Sequence, residues 1–286
     1  MDQNTLNRSL LLAAQNDDWP LAKQLIEQGA DILFQDPKGN TAVMLFVMNN
    51  NDHAVEQLTA INPDVLYQHD SKYRWTAPLL LALKNHPRYI LFAKSHPDII
   101  HQKGYGGTAA HMFARHGNVD MLVAIAAIDE SVLDQPDNIG QMPSHILAID
   151  QRGLELLHLA QHYPQVLKQQ NDRGHYPIHL LMPEISDCSK LATAFPFVLT
   201  QEDRYGKTLL MLLTYYSFRG AKEVLRENLQ RKPEYATHRN SRGDTLLSFA
   251  KREVGFFRAL GIARQLRPRM SWKQLYRLSQ QTPPTS

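Results

Sequence analysis

The sequence predicts an all-α fold in which about eight short helix–turn–helix units stack into a solenoid. One short pattern, opened by Thr or an equivalent residue, recurs along most of the chain. Its copies begin at residues 8, 41, 77, 108, 142, 176, 208 and 245. A fixed period of about 34 residues is typical of repeat proteins, in which each unit contacts only its neighbours. We therefore expect a long accessible surface instead of one closed globule with a buried active site.

Each copy combines the residues of a tight turn with those that start a helix. Asp36, Gly39 and Thr41 represent the pattern, and clear copies follow at 106–111, 140–145, 172–179, 206–208 and 243–245. Asp and Gly favour the turn, since Gly adopts a positive φ at little steric cost. Thr accepts hydrogen bonds from the free N–H groups at the helix start. The first helical position tolerates Pro, because the missing N–H would be unpaired there. We assign Pro78, Pro143 and Pro177 to this position.

A second helix is expected in each unit. Residues 17–31 carry an apolar stripe at helical spacing and end at Gly29, as an amphipathic helix does. Several copies end instead in a Pro-containing turn followed by an apolar pair, which we expect to pack back onto the stack. These turns lie at 62–66, 96–100, 163–167 and 232–235.

Three units depart from the pattern. The first lacks its turn and is predicted to serve as an N-terminal cap, and the third has Trp75 where Gly is expected. In the sixth, Met182-Pro183 should end the first helix early. There we expect residues 185–190 to form a loop before a helix near 191–195.

The pattern resembles the ankyrin repeat, whose signature is a Gly-containing turn followed by Thr-Pro-Leu-His-x-Ala. The copies at 140–145 and 172–179 carry this resemblance most clearly. It extends over about residues 8–252, so we predict an ankyrin-repeat array in residues 1–252. Residues 253–286 are predicted to form the last helix, a basic amphipathic C-terminal helix and a disordered tail.

The resemblance implies hairpin-like turns that, with the first helices, line a concave face for protein binding. Residues just before the turn glycines are then candidate partner contacts. Tyr and Arg are frequent in interface hot spots, and Arg suits an acidic or phosphate-bearing partner. The candidates at this position are Lys38, Tyr105, Arg173, Tyr205 and Arg242, and Tyr73, Arg74 and Arg204 are further candidates nearby. We expect a monomer that acts as a non-enzymatic scaffold or adaptor.

Charge is distributed unevenly and leaves an alternative open. Residues 1–199 carry a net charge of −7, whereas residues 200–286 carry +10. A basic C-terminal third can attract membrane lipid or nucleic acid. Its terminal helix, which begins with a capping box at 271–274, either covers the last repeat or binds a membrane or a partner.

The location of the protein is predicted from composition. No apolar run is long enough to cross a bilayer, and the first residues lack the features of a signal peptide. A lone Cys188 excludes an internal disulfide and fits a reducing compartment, so we expect a cytoplasmic protein. The irregular repeats are similar to those of ankyrin effectors of intracellular bacterial pathogens. Such a protein would be secreted into host cytosol without an N-terminal signal.

The histidines do not form a recognisable catalytic or metal motif. His111, His145 and His179 share one repeat position on successive helices, about 8–10 Å apart, which is too far for one zinc ion. We expect them to hydrogen-bond the turns. His158 and His162 have helical i,i+4 spacing but lack the Glu of a metalloprotease motif. No catalytic, cofactor-binding or metal-binding residue is therefore predicted.

Overall fold

The computed structural model describes residues 2–181, 185–216 and 221–253, together with Arg277. Within these ranges every regular element is a helix, and β-pairing is limited to isolated bridges in the turns. The predicted all-α class is confirmed. The chain divides into two compact units, residues 1–143 and residues 144–286.

The α-helices of the described ranges are short and follow the predicted repeat. They are α1 Gln3–Gln15, α2 Trp19–Glu27, α3 Ala42–Asn49, α4 Asp52–Ile61, α5 Ala77–Leu83, α6 Tyr89–Ser95, α7 Ala109–His116, α8 Val119–Ala126, α9 Pro143–Ile149, α10 Gly153–His162, α11 Pro177–Leu180, α12 Ile185–Ala194, α13 Leu209–Tyr216, α14 Ala221–Arg231 and α15 Leu246–Glu253. Odd-numbered helices are the first helices of their repeats, and even-numbered helices are the second.

The first unit is built by packing each first helix on the next. α1 contacts α3, α3 contacts α5, and α5 contacts α7. Leu10, Phe46, Leu81 and Phe113 lie on these successive helices with at most 2% of their surface exposed. Burial of such side chains stabilises the stack by about 1.5–3 kcal/mol each, and every repeat depends on its neighbour for it.

The second unit follows the same plan. α11 packs on α13 and α13 on α15, while α10 packs on α12 and α12 on α14. The lone thiol of Cys188 is buried in α12 and donates a hydrogen bond to the carbonyl of Leu181 at 3.4 Å. This cysteine is therefore part of the packing of the sixth repeat.

Short 3₁₀ helices follow most second helices and confirm the predicted Pro-containing turns. In the first of them the apolar pair Val65 and Leu66 is fully buried, as predicted. Two further examples had not been predicted from the sequence, one of which has no proline and begins after Asp129, whose side chain accepts the N–H of Ser131. The six described 3₁₀ helices are Pro63–Leu66, Pro97–His101, Glu130–Asp134, Pro164–Lys168, Pro196–Leu199 and Pro233–Ala236.

Two expectations about helix starts were wrong by a few residues. α1 begins at Gln3, where Asp2 accepts the N–H of Thr5, so position 8 lies inside the helix. In the third repeat Thr76, and not position 77, caps α5, and Pro78 is therefore the second helical residue. Arg74, and not Trp75, takes the place of the turn glycine.

The predicted loop at 185–190 is also wrong, because α12 begins at Ile185. Cys188 and Leu191 are both fully buried, and Lys190 pairs with Asp187 at 3.0 Å. These contacts at helical spacing stabilise the segment as a helix. The first helix of this repeat does end early, at Leu180. Met182-Pro183, the predicted C-terminal helix apart from Arg277, and the predicted tail lie outside the described residues.

Candidate functional site

An Asp or Asn side chain fixes the backbone of each regular turn. Asp36 Oδ1 accepts the N–H groups of Lys38 and Asn40, both at 2.8 Å. The residue two positions after the Asp or Asn, called the tip residue here, is thereby held in the same place in each turn. The same two bonds recur at Asp137, Asn171, Asp203 and Asn240. The corresponding tip residues are Ile139, Arg173, Tyr205 and Arg242.

Three buried histidines hydrogen-bond the backbone at or next to the following turn, as predicted. His111 Nδ1 accepts the N–H of Thr108 at 3.1 Å, so the proton lies on Nε2, which donates to the carbonyl of Gln141 at 2.9 Å. His145 Nε2 bonds the carbonyl of His175 in the following turn in the same way, whereas His179 Nε2 bonds the carbonyl of Gln201, two residues before the next turn begins at Asp203. Burial lowers the pKa of His111 and of His179 to about 4, so both are neutral near pH 7.

All eight predicted contact residues have exposed side chains. Lys38, Tyr73, Arg74 and Tyr105 belong to the first unit, and Tyr105 is 72% exposed. The remaining four belong to the second unit. Exposure of large aromatic side chains on turns is a property of interaction surfaces when the residues lie close together.

In the second unit, predicted contact residues of two turns lie close together. The guanidinium of Arg204 lies 5.2 Å from the ring centroid of Tyr205. A Cβ at Gly174 would lie only 2.8 Å from the Cβ of Arg204, so the turn of Arg173 touches the turn of Arg204. Arg173, Arg204 and Tyr205 thus belong to adjoining turns.

In the first unit three of the predicted residues surround one cavity. We call it the basic cavity: an open cavity of about 380 Å³ lined by Lys72, Tyr73, Arg74, Lys103, Gly104, Tyr105 and Asn138. The rings of Tyr73 and Tyr105 meet edge to face, with centroids 6.4 Å apart. Three cationic side chains line it and no acidic one does.

The basic cavity lies where two adjacent turns differ in length. In the regular turns the helix cap lies five positions after the first turn residue, as Thr41 does after Asp36. Thr76 lies six positions after Asp70, whereas Thr108 lies four positions after Gly104. A longer turn beside a shorter one leaves a step between them.

Hydrogen bonds to backbone groups connect the turns that line the basic cavity. The N–H of Tyr105 donates to the carbonyl of Tyr73 at 2.8 Å, and Asn138 Nδ2 donates to the carbonyl of Tyr105 at the same distance. A Cβ at Gly104 would lie 3.2 Å from the Tyr73 oxygen, so glycine permits this close approach.

Sequence reasoning missed Lys72, Lys103 and Asn138. Asp70 Oδ1 accepts the N–H of Lys72 at 2.8 Å, which makes Lys72 the tip residue of the third turn. Lys72 could have been identified by its position two residues after Asp70. Counting back from the start of α5 misses it, because this turn contains one extra residue. Lys103 and Asn138 belong to neighbouring turns, so no local pattern signals their proximity.

Within the described part of the chain, no group of three or more His, Cys, Asp or Glu side chains is placed to hold a metal ion. His158 and His162 lie side by side on α10, with ring centroids 5.3 Å apart. Among the described helices, none combines the length and apolar character needed to cross a bilayer.

Comparisons with known proteins agree with the repeat geometry. A family model of ankyrin repeats, in three copies, matches residues 10–92. No curated protein matches the chain in sequence. An ankyrin repeat domain of Acinetobacter baumannii AYE has a similar fold, with 22% identity, a TM-score of 0.58, and coverage of 65% of this chain and 96% of that one.

A second similar fold occurs in the complex of a predatory endopeptidase from Bdellovibrio bacteriovorus with an immunity protein. The matched chain has 20% identity and a TM-score of 0.53, and 64% of this chain and 96% of that one are covered. At this level of identity the two structures establish the fold alone. The family model identifies ankyrin repeats in residues 10–92, and the chain has the fold of an ankyrin-repeat domain.

Proposed function

We propose that this chain is a non-enzymatic scaffold that binds a partner protein through its repeat turns and first helices. The observation that carries the proposal is the set of exposed Tyr, Arg and Lys side chains on the repeat turns, of which Lys38, Arg173, Tyr205 and Arg242 are tip residues. Each tip backbone is fixed by hydrogen bonds, so little conformational entropy is lost when a partner binds. Ankyrin repeats are a general protein-interaction module, which supports the same function.

The partner that best complements these turns is acidic or carries phosphate. Arg and Tyr side chains adjoin in the turns of Arg173 and Arg204, and cations line the basic cavity. Arg binds carboxylates and phosphates through two parallel hydrogen bonds, which gives both affinity and orientation. We propose further that the chain acts as a monomer in cytosol. If it is a bacterial effector, its partner would be a protein of the host cytosol.

The test compares partner capture by wild-type protein and by a turn variant of the second unit. In the turn variant Arg173, Arg204 and Arg242 become Glu, and Tyr205 becomes Ala. We expect capture from a eukaryotic cell lysate to fall at least about tenfold, since loss of one hot-spot contact costs about 1–2 kcal/mol. Quantitative mass spectrometry of the retained proteins provides the measurement.

A matched control separates the turns from general charge effects. Lys23, Lys94 and Arg226 are exposed on second helices, and Leu154 of α10 is 54% exposed. Changing the three cations to Glu and Leu154 to Ala alters charge and apolar area by amounts comparable to those of the turn variant. Equal losses in the two variants would refute binding through the turns. Recovery of lipid or nucleic acid alone, released by salt, would instead favour the basic C-terminal third.

A further inference from the structure

We infer that the basic cavity binds a phosphate group carried on a side chain of the partner protein. This inference rests on the proposed function and adds the chemical identity of one contact. It concerns residues of the first unit alone, so it can fail while the turns of the second unit still bind a partner. It is based on the charge of the cavity, the backbone conformation of Arg74 and the size of the cavity.

Within the described residues, the positive charge of the cavity is only partly offset, by the electrostatic attraction of the Asp70 carboxylate for Lys72. No salt bridge joins Lys72, Arg74 or Lys103 to a described carboxylate. Asp70, the acidic residue of the same turn, accepts the backbone N–H groups of Lys72, Tyr73 and Trp75 at 2.6–3.0 Å. Its oxygens are therefore engaged with the turn. An anion bound in the cavity would meet three cations without displacing an existing ion pair.

Two of these cations are held at the cavity wall. The Lys72 ammonium lies 4.6 Å from the ring centroid of Tyr73, and the Lys103 ammonium donates to the carbonyl of Pro136 at 2.6 Å. Each ammonium keeps further donors for a ligand, because a lysine has three N–H groups. The wall is thus partly organised before an anion arrives.

Arg74 occupies a backbone position that glycine would fill without strain. Five other turns place a glycine two residues before the helix cap, and each has a positive φ. They are Gly39, Gly140, Gly174, Gly206 and Gly243. Arg74 stands at this position with φ +57°, in the left-handed region that disfavours a side chain. A strained residue whose side chain lines a cavity is an observation that points to function.

The cavity fits a phosphate monoester on one side chain. Its volume of about 380 Å³ is far too small for a folded domain but admits one modified residue of an exposed segment. A phosphate monoester carries a charge close to −2 at neutral pH and offers several acceptor oxygens. Three cations, with Asn138 and the tyrosine hydroxyls as neutral donors, provide more donors than one carboxylate can use.

The experiment titrates the full-length protein with short peptides at physiological ionic strength. The probes are Ac-Gly-Gly-X-Gly-Gly-amide peptides in which X is phosphoserine, phosphotyrosine, serine, tyrosine or glutamate, with inorganic phosphate as a further arm. We expect a phosphopeptide to bind with a dissociation constant below about 1 mM. We also expect it to shift the amide resonances of Tyr73 and Tyr105.

The decisive variant is Arg74→Gly. It is expected to weaken phosphopeptide binding at least about tenfold and to raise the midpoint of chemical unfolding, since it removes both the cation and the strain. Gln151→Gly is the matched control, because Gln151 has φ +58° and lies outside the cavity. It should raise the midpoint without changing binding.

Several results would overturn the inference. Unchanged binding by Arg74→Gly, or no saturable phosphopeptide binding by the wild type, would show that the cavity is not the site. Equal binding of the glutamate peptide would replace phosphate with a carboxylate. Equal affinity for inorganic phosphate, without any gain from the peptide, would mean that the cavity binds the free ion.

Discussion

Replacing His111 with alanine is expected to lower the free energy of unfolding by about 3 kcal/mol, one of the largest single-residue effects in this protein. His111 is fully buried and connects two turns through Thr108 and Gln141. Alanine would leave a buried N–H group and a buried carbonyl without partners, each at a cost of about 1–3 kcal/mol. Chemical denaturation at pH 7.5, followed by circular dichroism, measures the change.

His162→Ala is the control for this experiment, since its side chain is exposed on α10. It should change the free energy of unfolding by less than about 0.5 kcal/mol. His111→Gln is expected to lie between wild type and alanine, because its amide can still donate a hydrogen bond. A loss below about 1 kcal/mol for His111→Ala would contradict a connecting role for the histidine.

Acidification is expected to destabilise the protein between about pH 6.5 and pH 4. Burial lowers the pKa of His111 and of His179 from the ordinary value of 6.5 to about 4. Below pH 6.5 the unfolded chain binds protons that the folded chain does not, so stability is full above this pH and decreases as the pH falls. Each shift corresponds to a loss of up to about 3 kcal/mol by pH 4.

The measurement is the free energy of unfolding at several pH values from 7.5 to 4.5. A His111→Gln, His179→Gln double variant removes both titrating groups and retains an amide donor at each position. Its stability is expected to depend less steeply on pH than that of the wild type. The same slope in the two proteins would mean that these histidines do not cause the acid sensitivity.

Much of the fold follows from local chemistry and could therefore be predicted from the sequence. The turns at Asp36 and Asp203, the cap at Thr108 and the buried pair Val65 and Leu66 each depend on residues within one repeat. The turn and cap residues identify their positions because they satisfy backbone groups close to them in sequence. The periodicity then specifies the order of the units.

The features that sequence reasoning missed depend on contacts between repeats. α12 is helical over 185–190 because Cys188 and Leu191 are buried against other elements, which the local sequence does not reveal. The basic cavity requires a long turn beside a short one. Tyr73, Arg74 and Tyr105 were identified as candidates, but their convergence with Lys103 depends on tertiary structure.

A partner protein that binds the turns of the repeats should protect their amides from exchange, because exchange slows where a partner excludes solvent. The measurement is amide hydrogen exchange of the protein with and without its captured partner. We expect slower exchange over residues 70–76, 104–108, 171–176 and 203–208, with little change in α4, α6 and α10. Protection confined to those second helices, with the turns unaffected, would contradict binding through the turns.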